Sequence, residues 1–165
     1  MDRLLLVMRH AKSDRDPSYA SDHERPLAAR GRRDAPRMAR LMQRQGVTPQ
    51  LILSSDALRA RQTAELVHEA LADAELRLDA RLYGAGVEDA YTVLAELPAE
   101  VSCVLMIGHN PGLEMLVDEL SGRDDALLKT CSVAVLQLSL GSWSEIGEDC
   151  ARLQTIVHPR EMDES

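Results

Sequence analysis

"LLLVMRHAKSD" (residues 4–14) decides how the rest of this chain is read. Leu4 to Met8 form an unbroken apolar run, and the chain then passes at once to Arg9 and His10. A short continuous apolar run bounded by polar residues is the pattern of a strand covered on both faces. In open sheets of such strands, ligands gather beyond the carboxyl ends. Arg9 and His10 stand at one such end. Alone, the pair reads as a solvated strand terminus, so the remaining chain must show whether it does chemistry.

The pattern recurs. PQLILSS (49–55) and VSCVLMIGH (101–109) are further buried strands, each ending in polar residues. A shorter third strand lies within ELRLDARLY (75–83), CSVAVLQLSL (131–140) alternates as a fifth, and RLQTIV (152–157) is a candidate sixth. Between them, residues 31–45, 56–74 and 87–97 carry apolar side chains at helical spacing. NPGLEMLVDELSG (110–122) opens a fourth helix, with Asn110 as cap and Pro111 as first helical residue. Residues 11–31 are polar and broken by Pro17 and Pro26, which reads as a long loop of the kind usually kept for function. Strands alternating with helices predict an α/β fold: a three-layer αβα sandwich around a mostly parallel sheet of about five to six strands. No repeat, low-complexity segment or linker divides residues 1–165, so one domain is expected.

Composition bounds the partners. The 165 residues are 45% hydrophobic and 28% charged, but only 2% aromatic, so the core must be aliphatic. The formal net charge of −8 argues against nucleic acid or an anionic membrane as partner. It leaves room for an anionic small ligand at a locally positive site. Cys103, Cys131 and Cys150 form no CxxC pattern, which suggests neither a disulfide framework nor zinc and fits a reducing cytoplasm. No stretch has the length of a membrane span, and the first apolar run is too short for a signal peptide.

Three polar clusters fall at predicted strand ends: Arg9-His10, Ser54-Ser55 with Arg59 a turn further on, and Gly108-His109-Asn110. In a parallel sheet these ends converge. Two arginine forks hold phosphate oxygens bidentately. One neutral histidine can attack phosphorus and carry the phosphoryl group, and a second can donate to its oxygens. The arginines supply the positive charge, so neither a metal nor another cofactor is called for.

These stretches resemble the motifs of the histidine phosphatase superfamily, the phosphoglycerate mutase-like family. RHAKS (9–13) is similar to its RHG motif, SSDALRARQTA (54–64) to its second motif, and MIGHNPG (106–112) to its second-histidine motif. The likeness runs from about residue 4 to about residue 140 and places the family's second arginine at Arg59 rather than Arg61. Chain length, ERPLAARG (24–31), LYGAG (82–86) and GHNPG resemble the small SixA-type phosphohistidine phosphatase branch. The resemblance implies a phosphoglycerate mutase-like fold and a phosphatase using His10 as nucleophile, with Arg9, Arg59 and His109 as clamps. It also implies a phosphorylated protein or a small phosphorylated molecule as partner of a monomer.

Two positions depart from the family. Ala11 replaces the RHG glycine. Ala80, in LDARLYG (78–84), stands where many members carry the glutamate that protonates a leaving alkoxide. An imidazole leaving from an N–P bond has less need of such an acid. Phosphohistidine of a protein is therefore the expected substrate. The alternative is a small-molecule phosphomonoesterase in which Glu24, Asp79 or Glu88 supplies the proton. Arg25 either lines the mouth of the site or pairs with Asp22 or Glu24. Ser13 is a phosphate donor or a turn residue, and His23 is a solvated loop residue. Arg61 is given to the surface. Arg30, Arg32, Arg33, Arg37, Arg40 and Arg44 are expected on a solvated helix face near the rim. Two other classes stay open: a phosphoprotein-binding module without turnover, and a metal site built on His10 and His109.

Overall fold

The computed structural model describes residues 2–159. Six strands form one sheet in the order β3-β2-β4-β1-β5-β6: β1 (Asp2–Arg9), β2 (Leu51–Ser54), β3 (Glu75–Leu78), β4 (Cys103–Gly108), β5 (Val133–Ser139) and β6 (Ala151–Val157). β1 to β4 pair in parallel, while β5 runs antiparallel to both β1 and β6. Five of the six strands thus point the same way, and the sheet is mixed but mostly parallel, with β1 and β4 at its centre. That is the phosphoglycerate mutase-like α/β arrangement expected from the motifs.

Alternation along the strands builds both outer layers. Leu6 and Met8 of β1, Ile52 of β2 and Leu105 and Ile107 of β4 face α1 (Ala29–Arg44) and α2 (Leu58–Ala70). The intervening Leu5, Val7, Leu53, Val104 and Met106 face α3 (Val87–Ala95) and α4 (Gly112–Ser121). Ala35, Ala39, Ala60 and Ala64 are fully buried on the first of these faces, and such small residues let two helices approach closely. Met38, Met42 and Met106 fill the core as the sequence suggests. Of the cysteines, Cys131 is buried, whereas Cys103 and Cys150 are only half-buried.

Several boundaries move. α1 begins at Ala29, so the loop is shorter than 11–31, and it contains a 3-10 turn at Asp22–Glu24. Gly31 explains the tight start of α1: a Cβ there would lie 2.2 Å from the Lys12 carbonyl oxygen. α2 stops at Ala70 rather than continuing to 74. α4 starts at Gly112 with Pro111 at the cap position. Asn110 is used sideways: its amide donates to Leu128 O (2.8 Å), and its Oδ1 accepts from Glu114 N (3.3 Å).

Candidate active site

The register of the sheet brings the three polar clusters together. Arg9 of β1 lies beside Gly108 of β4, and Ser54 of β2 beside Ile107, so the residues that follow each strand emerge on one edge. A cavity of about 200 Å³ opens there, lined by Arg9, His10, Arg25, Arg59 and His109 together with Ser13. The five sequence-predicted site residues therefore share one cavity, although they come from four separate chain segments.

His10 is held by its backbone and its ring. Its N–H donates to Gly108 O (3.0 Å), and Cys131 N–H donates to both Arg9 O (3.0 Å) and His10 O (3.1 Å). Cys131 adopts a left-handed φ of 68° to do so. The His10 Nδ1 lies 2.8 Å from Ala11 O. A carbonyl can only accept, so Nδ1 carries the proton and Nε2 keeps its lone pair. Burial pushes the imidazole down to about 3, and the neighbouring His109, Arg59 and Arg9 push the same way against the Ala11 hydrogen bond. The ring is neutral at pH 7. The Ala11 N–H donates to Thr63 Oγ1 (3.0 Å), whose hydroxyl donates to Arg59 O (2.7 Å), tying the two arginine-bearing segments together.

His109 packs beside it, with ring centroids 5.1 Å apart and planes tilted 53°. Its Nε2 lies 2.8 Å from Ser55 Oγ. The same oxygen also accepts from Ala57 N. Burial lowers His109 to about 4, with Arg59 adding to the effect and Asp22 opposing it. Among the described residues, five buried side-chain polar atoms lack a partner, namely Arg9 Nε, Arg59 Nε, His109 Nδ1, Arg3 Nε and Tyr91 Oη; three of them belong to this site.

Arg59 is almost fully buried, yet it is not idle. Its guanidinium donates to Asp22 O (2.7 Å) and Asp22 Oδ2 (3.0 Å). Tyr83 Oη donates to the same Oδ2 (2.8 Å), and Arg25 Nε donates to Oδ1 (3.0 Å). The Tyr83 hydroxyl, then Arg59, hold the Asp22 carboxylate down to about 2. Arg25 thus lines the cavity and also pairs with Asp22. His23 is not simply solvated: it stacks edge-on against Tyr83 (4.8 Å) and lies 3.0 Å from Asp56 Oδ1. Arg61 is exposed and pairs with Glu65.

None of Glu24, Asp79, Glu88 or Ala80 lines the cavity. Asp79 is paired with Arg81 (2.7 Å), which lowers its pKa, and Ala80 is exposed in the 3-10 turn Ala80–Leu82. Among the described residues no carboxylic acid lines the cavity, and Asp22, held by the cavity's Arg59, is fully ionised at neutral pH. Sequence reasoning missed Tyr83, the contacts of Asp22 with Arg59 and Tyr83, and the bonds made by Ser55 and Thr63. Ser55 stood out as a strand-end polar residue and Thr63 as part of a motif, but Asp22 and Tyr83 are separated by 61 residues and meet only in three dimensions.

Comparison with known proteins agrees with this geometry. Residues 5–89 match the sequence profile of the histidine phosphatase superfamily (branch 1). The chain is 34% identical over 140 residues to the phosphohistidine phosphatase SixA of Escherichia coli K12, covering 81% of this chain and 84% of that protein. It is also 34% identical over 155 residues to an uncharacterized chloroplastic protein of Arabidopsis thaliana, covering 88% and 71% of the two chains. The solved structure of the protein histidine phosphatase SixA complexed with tungstate superposes with a TM-score of 0.83 at 28% identity, covering 96% of this chain and 99% of that one. Sheet order, the paired arginines and histidines, and sequence likeness over most of both chains lead to one assignment: the chain belongs to the histidine phosphatase superfamily, in its SixA-like branch.

Proposed function

We propose that this phosphatase hydrolyses protein phosphohistidine through a covalent phosphohistidine at His10. The observation that carries the reading is a cavity with two neutral histidines, the half-buried Arg9 and the buried Arg59, and among the described residues no lining carboxylic acid able to give up a proton at neutral pH. In the first step the His10 Nε2 lone pair attacks phosphorus, and the bond from phosphorus to the substrate's imidazole nitrogen breaks. That nitrogen leaves as an imidazole already protonated by solvent, so no enzyme acid is required. Arg9 and Arg59 hold the equatorial oxygens in transit. His109, anchored through Nε2 to Ser55 and packed beside the His10 ring, forms the cavity wall next to the phosphoryl group. In the second step water attacks phosphorus, the bond to His10 breaks, and inorganic phosphate is released. The names of the SixA relatives support the same substrate class.

An alkyl phosphoester leaves as an alkoxide and needs the acid this cavity lacks. A phosphohistidine peptide and an alkyl phosphoester of equal charge are therefore compared, with alkaline quenching to trap the labelled enzyme, because N–P bonds are acid-labile. The peptide should turn over faster by orders of magnitude, and His10→Ala should form no phosphoenzyme. Turnover surviving in His10→Ala would overturn the mechanism, and equal rates for the two substrates would overturn the substrate assignment.

A further inference from the structure

The catalytic cavity does not end at the arginine clamp. It opens into a groove of about 460 Å³ in which Lys12 and Arg15, already at the cavity wall, are joined by Arg30 and Arg33 of α1 and by Lys129 of the loop before β5. Among the described residues Asp34 is the one carboxylate lining the groove; it is buried, and Arg33 approaches it at 3.7 Å. Among the described residues, no carboxylate pairs with Lys12, Arg15, Arg30 or Lys129. Such a concentration of unpaired cations is unexpected in a chain of net charge −8. Like charges gathered without partners cost stability, and focusing an anionic ligand is what offsets the cost.

We propose that this groove binds acidic residues flanking the phosphohistidine of a protein substrate. The inference rests on the function proposed above and adds the substrate's sequence character. The cations come from three chain segments and line a groove more than twice the volume of the catalytic cavity. One further phosphate would satisfy one or two of them, whereas an extended peptide places successive carboxylates along the whole groove. Among the described residues no aromatic ring lines it, so they offer none of the base stacking that single-stranded nucleic acid relies on.

The test uses two phosphohistidine peptides that differ only in carrying Asp and Glu, or Asn and Gln, around the phosphorylated residue. The full chain is compared with an Arg30→Gln/Lys129→Gln double variant, and a small phosphoramidate serves as control. The native protein should favour the acidic peptide by about tenfold in kcat/KM, mostly in KM, with the advantage shrinking as salt rises. The double variant should lose that advantage and keep its activity on the neutral peptide and the phosphoramidate. Equal kcat/KM for the two peptides in the native protein would overturn the proposal, as would equal losses on both peptides in the variant. A single-stranded oligonucleotide that inhibits more strongly than an acidic peptide of equal charge would overturn the choice of occupant. No turnover of either peptide, with phosphoesters cleaved, would instead count against the phosphohistidine reading itself.

Discussion

Lowering the pH from 7 to 5 tests the site's electrostatics directly. A free imidazole titrates near 6.5, so at pH 5 only about 3% of it would be neutral. His10 is pushed down to about 3 by burial and the surrounding cations, so about 99% of it stays neutral at pH 5. The two cases differ about thirtyfold in the fraction of nucleophile able to attack. The sign is fixed: the attacking form of His10 is the unprotonated one, so the competent fraction of the nucleophile is full above the folded pKa and falls as pH drops through it. The same shift bears on stability. The unfolded chain binds the proton near pH 6.5 and the folded chain does not, so folding weakens as pH falls between about 6.5 and about 3. At pH 5 the penalty from His10 is about 2 kcal/mol. Side-chain NMR of histidine-labelled protein from pH 3 to 8, free of substrate, reads the titration and also the Nδ1–H tautomer. Urea unfolding of the native protein and His10→Gln at pH 7 and pH 5 reads the linkage, with the variant losing about 2 kcal/mol less. A His10 midpoint near 6.5, or a proton resident on Nε2, would refute the account of a buried nucleophile held neutral by its surroundings.

Three substitutions probe the parts separately. Arg59→Lys replaces two directed donors, now on Asp22 O and Asp22 Oδ2, by a point charge, and should lower kcat/KM by about a hundredfold or more in steady-state assays. Ser55→Ala removes the partner of His109 Nε2 and frees the tautomer; kcat should fall about tenfold with KM little changed, the cost of about one hydrogen bond. Gly31→Ala drives a methyl to within 2.2 Å of the Lys12 carbonyl oxygen and should cost about 1–3 kcal/mol in urea unfolding, through displacement of the loop that follows His10.

Local chemistry explains how much of this was legible. Leu4–Met8 could be read as a strand because burial on both faces demands continuous apolarity, and the alternation of Leu5 and Val7 against Leu6 and Met8 carries both helical layers. The antiparallel placement of β5 was not legible, because direction depends on how a connection returns to the sheet. α4 starts one residue later than the local pattern places it, and Asn110, read as its cap, also donates to Leu128 O, a contact that no local pattern announces. His23 looked like a solvated loop histidine until the fold brought Tyr83 and Asp56 against it.

The sequence by itself determined the strands, the helices and the identities of Arg9, His10, Arg59 and His109, since each follows from periodicity or from motifs a few residues long. Only the tertiary structure decided their chemical states. The proton on His10 Nδ1, the neutrality of both histidines, the ionised Asp22 beneath Tyr83 and Arg59, and the cationic groove beyond Lys12 and Arg15 all depend on burial and on charges from distant segments. Residue identity is local, but electrostatic free energy is set by everything within a few ångströms, and that neighbourhood exists only once the chain has folded.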